Sequence, residues 1–177
     1  MCQSQPGYSS RRDFIKLAAL GAGAVMLGSF LPRTAFASGQ ADALLLSCMD
    51  YRLVDDTERF MAGKGLKDKY DHVILAGASL GALTGKFPAW NTAFWEHLGV
   101  AIKLHQVHKV VLLDHRDCGA YKVVKGEDFG KMPEKETEVH AETLMALRSS
   151  IIKQHPALEV ECYLMALDGS VEHIIPA

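Results

Sequence analysis

Four short, uninterrupted apolar runs recur along residues 38–177. They lie at Ala43–Ser47, His72–Ala76, Lys109–Asp114 and Val160–Leu167. Continuous apolar runs of this length are typical of strands that are buried on both faces of a sheet. We therefore predict four strands in this part of the chain.

Helical patterns separate the predicted strands. Apolar residues recur at the three- and four-residue spacing of a helix in two stretches, first Phe94, Leu98 and Ala101, then Leu144, Leu147 and Ile151. A shorter helix is predicted from Asp55 and Asp56 to Gly63. Strands that alternate with helices predict an α/β fold with a small, mostly parallel β-sheet flanked by helices.

The N-terminal segment has the layout of a removable export signal. Residues 10–16 read SRRDFIK, which resembles the twin-arginine export motif of bacteria. An apolar run from Leu17 to Leu31 follows, and residues 35–37 read AFA, which matches a cleavage pattern. We expect a signal peptide over residues 1–37, export by the twin-arginine translocase to the periplasm, and cleavage near Ala37.

An uncleaved membrane anchor is the alternative interpretation of the N-terminal segment. The apolar run has 15 residues before Pro32, whereas a spanning helix needs about 20. The length therefore favours a signal peptide, followed by one domain over residues 38–177.

Composition and charge narrow the class of protein. The chain is 49% hydrophobic and 23% charged, which is typical of a globular protein. It has 19 Lys and Arg against 21 Asp and Glu, a net charge of −2. Without a basic excess to attract a phosphate backbone, nucleic acid is not an expected partner. Four cysteines are too few for a disulfide scaffold at this length.

Metal-ligating side chains follow two of the predicted strands. Cys48 follows the first strand, and His115 and Cys118 follow the third. Open α/β sheets bind ligands at the carboxyl ends of their strands, so the three can meet if these strands are neighbours. Two thiolates and one imidazole, with a fourth position open, are typical of a catalytic zinc site. Buried core residues and a Cys48–Cys118 disulfide are the alternatives.

An acid and a base follow the first candidate ligand closely. Asp50 and Arg52 stand two and four residues after Cys48, so in an extended segment the three share a face. Arg52 can hold Asp50 ionised through a bidentate pair. The carboxylate can then accept a hydrogen bond from a zinc-bound hydroxide or occupy the open coordination position. The alternative is a surface ion pair with no chemical role.

Two motifs resemble those of a known enzyme family. Residues 48–52, CMDYR, are similar to the C-x-D-x-R signature of the β-class carbonic anhydrases. Residues 115–120, HRDCGA, are similar to the H-x-x-C-G-A motif of the same family. The two motifs have the family's order and separation, and together they are specific.

The resemblance implies a fold, a metal and a reaction. It implies one Zn²⁺ per chain, a homodimer or higher homo-oligomer, and hydration of carbon dioxide to bicarbonate. It assigns the role of metal ligand to Cys48, His115 and Cys118. It places a catalytic dyad, Asp50 and Arg52, beside them. Where typical members carry an R-N-A-G stretch, this chain reads LAGAS at residues 75–79. Zinc hydroxide attack on a related small electrophile, and a non-catalytic zinc-binding protein, are therefore alternatives.

A serine hydrolase is a further, weaker hypothesis. Residues 77–81 read GASLG, which matches the G-x-S-x-G pattern of a nucleophile elbow, with Ser79 as nucleophile. Asp168 and His173 follow in the order that a catalytic triad would need. The glycines and the proline that follow Ser79 oppose the helix that such an elbow requires.

One further histidine lies in a metal-site pattern. His140 and Glu142 form an H-x-E pattern like that of zinc deaminases, but the P-C-x-x-C partner motif is missing. We therefore expect His140 to lie on a helix surface.

Overall fold

The computed structural model of the protein describes residues 39–176. The signal peptide expected over residues 1–37 and its cleavage point near Ala37 lie outside the described residues, and both remain predictions. Among residues 39–176, no helix combines the length and the apolar character that a membrane crossing requires.

A five-stranded sheet runs through the described residues, with the strand order β2-β1-β3-β4-β5. The strands are β1 (Ala43–Cys48), β2 (Tyr70–Leu75), β3 (Lys109–His115), β4 (Glu159–Met165) and β5 (Val171–His173). Strand β1 pairs in parallel with β2 and β3, β3 pairs in parallel with β4, and β5 is antiparallel to β4. The predicted α/β fold with a mostly parallel sheet is confirmed.

Helices connect the parallel strands and cover the sheet. They are α1 (Val54–Gly63), α2 (Ser79–Leu83), α3 (Pro88–Val100), α4 (Gly119–Lys125) and α5 (Pro133–Gln154). A π-helical turn continues α3, and single 3-10 turns precede α1 and α5. Pro88 and Pro133 each stand in the first turn of their helix, where the missing N–H costs no hydrogen bond.

Alternate residues of the central strands enter two apolar clusters. Leu44 packs with Phe94 of α3 and Leu144 of α5 in one cluster. Leu45, the next residue along β1, packs with Met61 of α1 in the other. Because side chains on both faces are buried, the strands carry no polar face, which explains the uninterrupted apolar runs. Each fully buried leucine contributes about 2 kcal/mol to folding.

Helix α2 begins at Ser79, so the expectation that the following glycines oppose a helix there was wrong. Strand β5 was not predicted by the sequence pattern either. It has three residues, Val171–His173, and none of them is buried. So short a strand has no periodicity of its own, and its place is set by pairing with β4.

Candidate metal centre

The pairing of β1 with β3 brings the predicted metal ligands together. Cys48 ends β1, His115 ends β3, and Cys118 is the residue before α4. One ligand atom from each of the three lies within 4.8 Å of the others. The two sulfur atoms, Cys48 Sγ and Cys118 Sγ, are 3.9 Å apart. Residues 70 positions apart in the chain therefore share one site.

The geometry of these three side chains fits a tetrahedral zinc ion. His115 Nδ1 donates to the carbonyl oxygen of Arg116 at 2.8 Å, which leaves Nε2 with a free lone pair. His115 Nε2 is buried and has no hydrogen-bond partner in the described part of the chain. Zinc–sulfur bonds of about 2.3 Å at tetrahedral angles place two sulfurs about 3.8 Å apart. The observed sulfur separation agrees with that value.

The surroundings of the sulfurs favour negative charge on Cys48. A hydrogen bond from the Cys118 thiol lowers the pKa of Cys48, and His115 adds to the effect and outweighs burial. The same contact with Cys48 and burial raise the pKa of Cys118. The backbone N–H of Gly77 also donates to Cys48 Sγ, at 3.3 Å. Metal ligation requires deprotonated sulfurs, so a bound cation would displace any thiol proton that remains on the pair.

Asp50 and Arg52 form a bidentate ion pair beside the ligands. Arg52 Nε donates to Asp50 Oδ1 at 3.0 Å, and Nη2 donates to Oδ2 at 2.8 Å. These hydrogen bonds lower the pKa of Asp50 to about 2, so the carboxylate is ionised at neutral pH. Asp50 Oδ2 lies 3.8 Å from His115 Nε2. The carboxylate therefore reaches the edge of the ligand set.

The tight turn between His115 and Cys118 is held from two sides. Asp117 has a φ of 54°, an unusual conformation for a residue with a side chain. Arg52 Nη1 donates to Asp117 Oδ2 at 2.8 Å, and the buried carboxylate of Glu136 accepts the Asp117 N–H at 2.7 Å. A Cβ at Gly130 would lie 2.8 Å from Asp117 Oδ1, so a larger residue there would require the Asp117 carboxylate to shift.

The site opens into a cavity of about 670 Å³ with an aromatic wall. Phe87 and Trp90 stack with ring centroids 4.2 Å apart and line this cavity together with Phe129. Cys48, Asp50, Arg52 and Cys118 line it as well. A small uncharged molecule can therefore reach the ligand set along an apolar surface.

The surroundings of Ser79 do not suit a nucleophile. Its side chain is fully buried, and its hydroxyl has no hydrogen-bond partner within residues 39–176. Asp168 accepts hydrogen bonds from Ser170, and His173 stacks on Tyr163. With no base on its hydroxyl, Ser79 gives the hydrolase hypothesis no support.

Two buried side chains were missed or misplaced at the sequence level. His140 is 1% exposed and donates to Asp114, so the expectation of a helix-surface position was wrong. Glu136 was not singled out, although it holds the Asp117 backbone. Its position in the first turn of α5 suggested only a favourable interaction with the helix dipole. The sequence signal for the His140 contact is its partner, Asp114, a charged residue inside an apolar strand.

The fold and the ligand set define an α/β protein with a candidate Cys-His-Cys metal centre at the strand ends. The sequence profile of the family described as "Putative carbonic anhydrase" matches residues 39–162. The chain belongs to this family.

The chain is also similar to uncharacterized proteins from the genus Rickettsia. An uncharacterized protein of Rickettsia conorii is 42% identical over 135 residues, 76% of this chain and 73% of that protein. A Rickettsia bellii protein is 41% identical over 135 residues, 76% of this chain and 82% of that protein.

Solved carbonic anhydrases share the fold at low sequence identity. A carbonic anhydrase from Glaciozyma antarctica has a TM-score of 0.50 at 15% identity, covering 93% of this chain and 94% of that one. The β-carbonic anhydrase CafA of Aspergillus fumigatus has a TM-score of 0.51 at 15% identity, covering 78% of each chain. At this level of identity the similarity establishes the fold.

Proposed function

We propose that the protein is a zinc enzyme that hydrates carbon dioxide to bicarbonate. The observation that carries the proposal is the convergence of two thiol sulfurs and an unpartnered imidazole nitrogen. Membership of a carbonic anhydrase family supports the same reaction. The proposed ligands of one Zn²⁺ per chain are Cys48, His115 and Cys118.

The residues around the ligands have separate roles in this proposal. Bound Zn²⁺ supplies an activated hydroxide nucleophile at neutral pH. The ionised Asp50 carboxylate would accept a hydrogen bond from the attacking oxygen and orient it toward the carbon atom. Arg52 fixes that carboxylate and keeps it ionised. One carbon–oxygen bond forms, bicarbonate leaves, and one proton passes to solvent in each turnover.

The aromatic wall of the cavity suits an uncharged substrate. Phe87 and Trp90 present apolar surface, which costs carbon dioxide little desolvation. Bicarbonate, the product, is an anion and is less well solvated by such a wall than by water. The lining thus favours entry of the substrate and release of the product.

Export and assembly are further parts of the proposal. The SRRDFIK motif at residues 10–16 and the AFA pattern at residues 35–37 support twin-arginine export to the periplasm with cleavage near Ala37. The resemblance to the β-class enzymes supports a homodimer or a higher homo-oligomer. The net charge of −2 gives no reason to expect nucleic acid as a partner.

Stopped-flow hydration of carbon dioxide by the zinc-loaded protein tests the reaction. We predict that the wild type is active and that Asp50→Asn lowers kcat about a hundredfold while keeping its zinc, since the variant retains all three ligands. Asp55→Asn, at an exposed position in α1, is the matched control and keeps full activity.

Two results would contradict parts of the proposal, the first the reaction and the second the role of Asp50. A zinc-loaded wild type with no hydration between pH 7 and 9 would favour the non-catalytic alternative. Loss of zinc from Asp50→Asn would mean that Asp50 holds the metal instead of acting on the nucleophile.

A further inference from the structure

A carboxylate outside the ligand set lies buried directly behind it. Asp114 stands one residue before His115 and is 1% exposed. Its Oδ1 accepts the backbone N–H of Ser79 at 3.0 Å. Its Oδ2 accepts the Tyr121 hydroxyl at 2.5 Å and His140 Nδ1–H at 2.8 Å. Three donors make the burial of this carboxylate tolerable.

The donors come from three helices that surround the candidate metal centre. Ser79 begins α2, directly after the segment whose Gly77 N–H donates to Cys48 Sγ. Tyr121 lies in the first turn of α4, three residues after Cys118. His140 belongs to α5 and packs on the Tyr121 ring, with ring centroids 3.9 Å apart. One carboxylate thus contacts the backbone two residues after Gly77 and the side chain of Tyr121, three residues after Cys118.

Stability alone is a poor explanation for this cluster. His140 Nε2 and Ser79 Oγ are both buried and have no hydrogen-bond partner in residues 39–176. Unsatisfied buried polar atoms reduce stability, and an apolar core at the same place would avoid that cost. Clusters that break such a rule occur at functional sites.

We infer that Asp114 is a positioning residue for the candidate metal centre. Through Ser79 it fixes the Gly77 backbone against Cys48, and through Tyr121 it fixes the start of α4 and hence Cys118. Its own place in β3 fixes the strand end that carries His115. The inference rests on the proposed function, because it requires that these ligands bind a metal.

The test measures zinc affinity of the folded protein by competition with a chromophoric chelator, together with the visible spectrum of the cobalt-substituted protein. Tyr121→Phe removes one donor to Asp114 and keeps the ring. We expect its zinc Kd to rise at least tenfold, as for other changes behind metal ligands, and the cobalt bands to shift. Asp114→Asn places an amide N–H opposite one of the hydrogen-bond donors. We expect it to raise the zinc Kd further than Tyr121→Phe does.

Tyr163→Phe is the matched control. Its hydroxyl also makes side-chain hydrogen bonds, with Lys64 and Glu161, but its ring packs in the cluster of Leu45 and Met61, which contains neither Tyr121 nor Cys118. This variant should keep the wild-type Kd and cobalt spectrum. If Asp114→Asn does not fold, the two tyrosine variants still decide the question.

The outcomes separate this inference from the proposed function. An unchanged zinc Kd and cobalt spectrum in Tyr121→Phe would overturn the inference while leaving the metal centre intact. Equal changes in Tyr121→Phe and Tyr163→Phe would overturn it too, because they would indicate a general loss of stability. A wild type that binds no zinc would overturn both.

Discussion

Arg52 joins the two halves of the candidate site through one planar side chain. Its guanidinium donates to both oxygens of Asp50, which follows β1, and to the carboxylate of Asp117, in the turn after β3. A fourth hydrogen bond, from Nη2, reaches the backbone oxygen of Asp117 at 3.1 Å. Five N–H groups in a rigid fork can make these contacts together, whereas an ammonium group cannot.

The fork geometry gives a prediction for Arg52→Lys. A lysine keeps the charge but loses the bidentate pair, so Asp50 is held less firmly and its pKa rises toward the ordinary range. We expect kcat/KM for carbon dioxide hydration to fall about tenfold or more, with zinc content unchanged. Arg59→Lys, at an exposed pair with Asp56, is the control. Equal rates for Arg52→Lys and the wild type would show that the fork has no catalytic role.

The sequence predicted the three ligands from the strand ends, but around them it predicted only residues whose partners are local. Asp50 and Arg52 stand two positions apart, and their pairing follows from that spacing. Glu136 reaches the backbone of a residue 19 positions away, and His140 reaches Asp114 across 26 positions. No spacing rule connects such pairs, because the packing of α5 against the strand ends brings them together.

Among the elements, β4 carries a charged network that links it to β3 and to the end of α1. Glu161 receives Lys109 from the neighbouring β3 and Lys64 from the end of α1, each at 2.7 Å. Burial alone would raise the pKa of Glu161, but hydrogen bonds from the two lysines outweigh it and lower the pKa to about 2. The network therefore ties α1 to the sheet as long as Glu161 is ionised.

This network predicts a pH-dependent part of the stability. Because the folded pKa of Glu161 lies below its ordinary value, its contribution is complete above about pH 4.5 and is lost as the pH falls toward 2. We expect Glu161→Gln to lower the free energy of unfolding by about 1 kcal/mol at pH 7, since solvent screens the partly exposed pairs. The difference should shrink by pH 3 in urea unfolding experiments.

Glu159→Gln is the control for that measurement. Glu159 lies on the same strand, and its exposed side chain pairs with Lys109 at a longer distance of 3.4 Å. Glu159→Gln should change the free energy of unfolding less than Glu161→Gln does at pH 7, and little at pH 3. A Glu161→Gln effect that is equal at pH 7 and pH 3 would contradict the ionic explanation.

The elements were predictable to different degrees for a physical reason. Strands β1 and β3 are buried on both faces, so their composition alone indicates them. Edge strand β2 extends further toward its N-terminus than its apolar run, because Tyr70 and Asp71 pair with β1 without being buried. The pairing of β2 with β1 sets where β2 begins, and the pattern of apolar residues contains no information about that pairing.

At the scale of the whole molecule, the candidate metal centre connects distant parts of the chain. Cys48 and Cys118 belong to segments 70 residues apart, so the ligand set exists only in the folded protein. A metal that binds the folded state alone stabilises it by about 2.7 kcal/mol at a free concentration of 100 times Kd. Zinc binding should therefore be visible as thermal stability.

A thermal unfolding experiment measures this linkage. We expect removal of zinc with a chelator to lower the Tm by roughly 5–10 °C, and readdition of zinc to restore it. Cys48→Ser should unfold at the Tm of the chelated wild type and show no response to zinc. A zinc response of wild-type size in Cys48→Ser would mean that the metal binds elsewhere.

The metal content of the purified protein tests the central claim most directly. We predict about one zinc per chain in the wild type and almost none in Cys118→Ser. Cys162→Ser is the matched control, because Cys162 is also a buried cysteine but lies in the apolar cluster of Leu44 and Leu144. Its sulfur is 3.9 Å from the Leu144 carbonyl oxygen, to which a serine hydroxyl could donate. This variant should retain about one zinc per chain. A wild type without zinc, or a Cys118→Ser variant that keeps a full equivalent, would contradict the account.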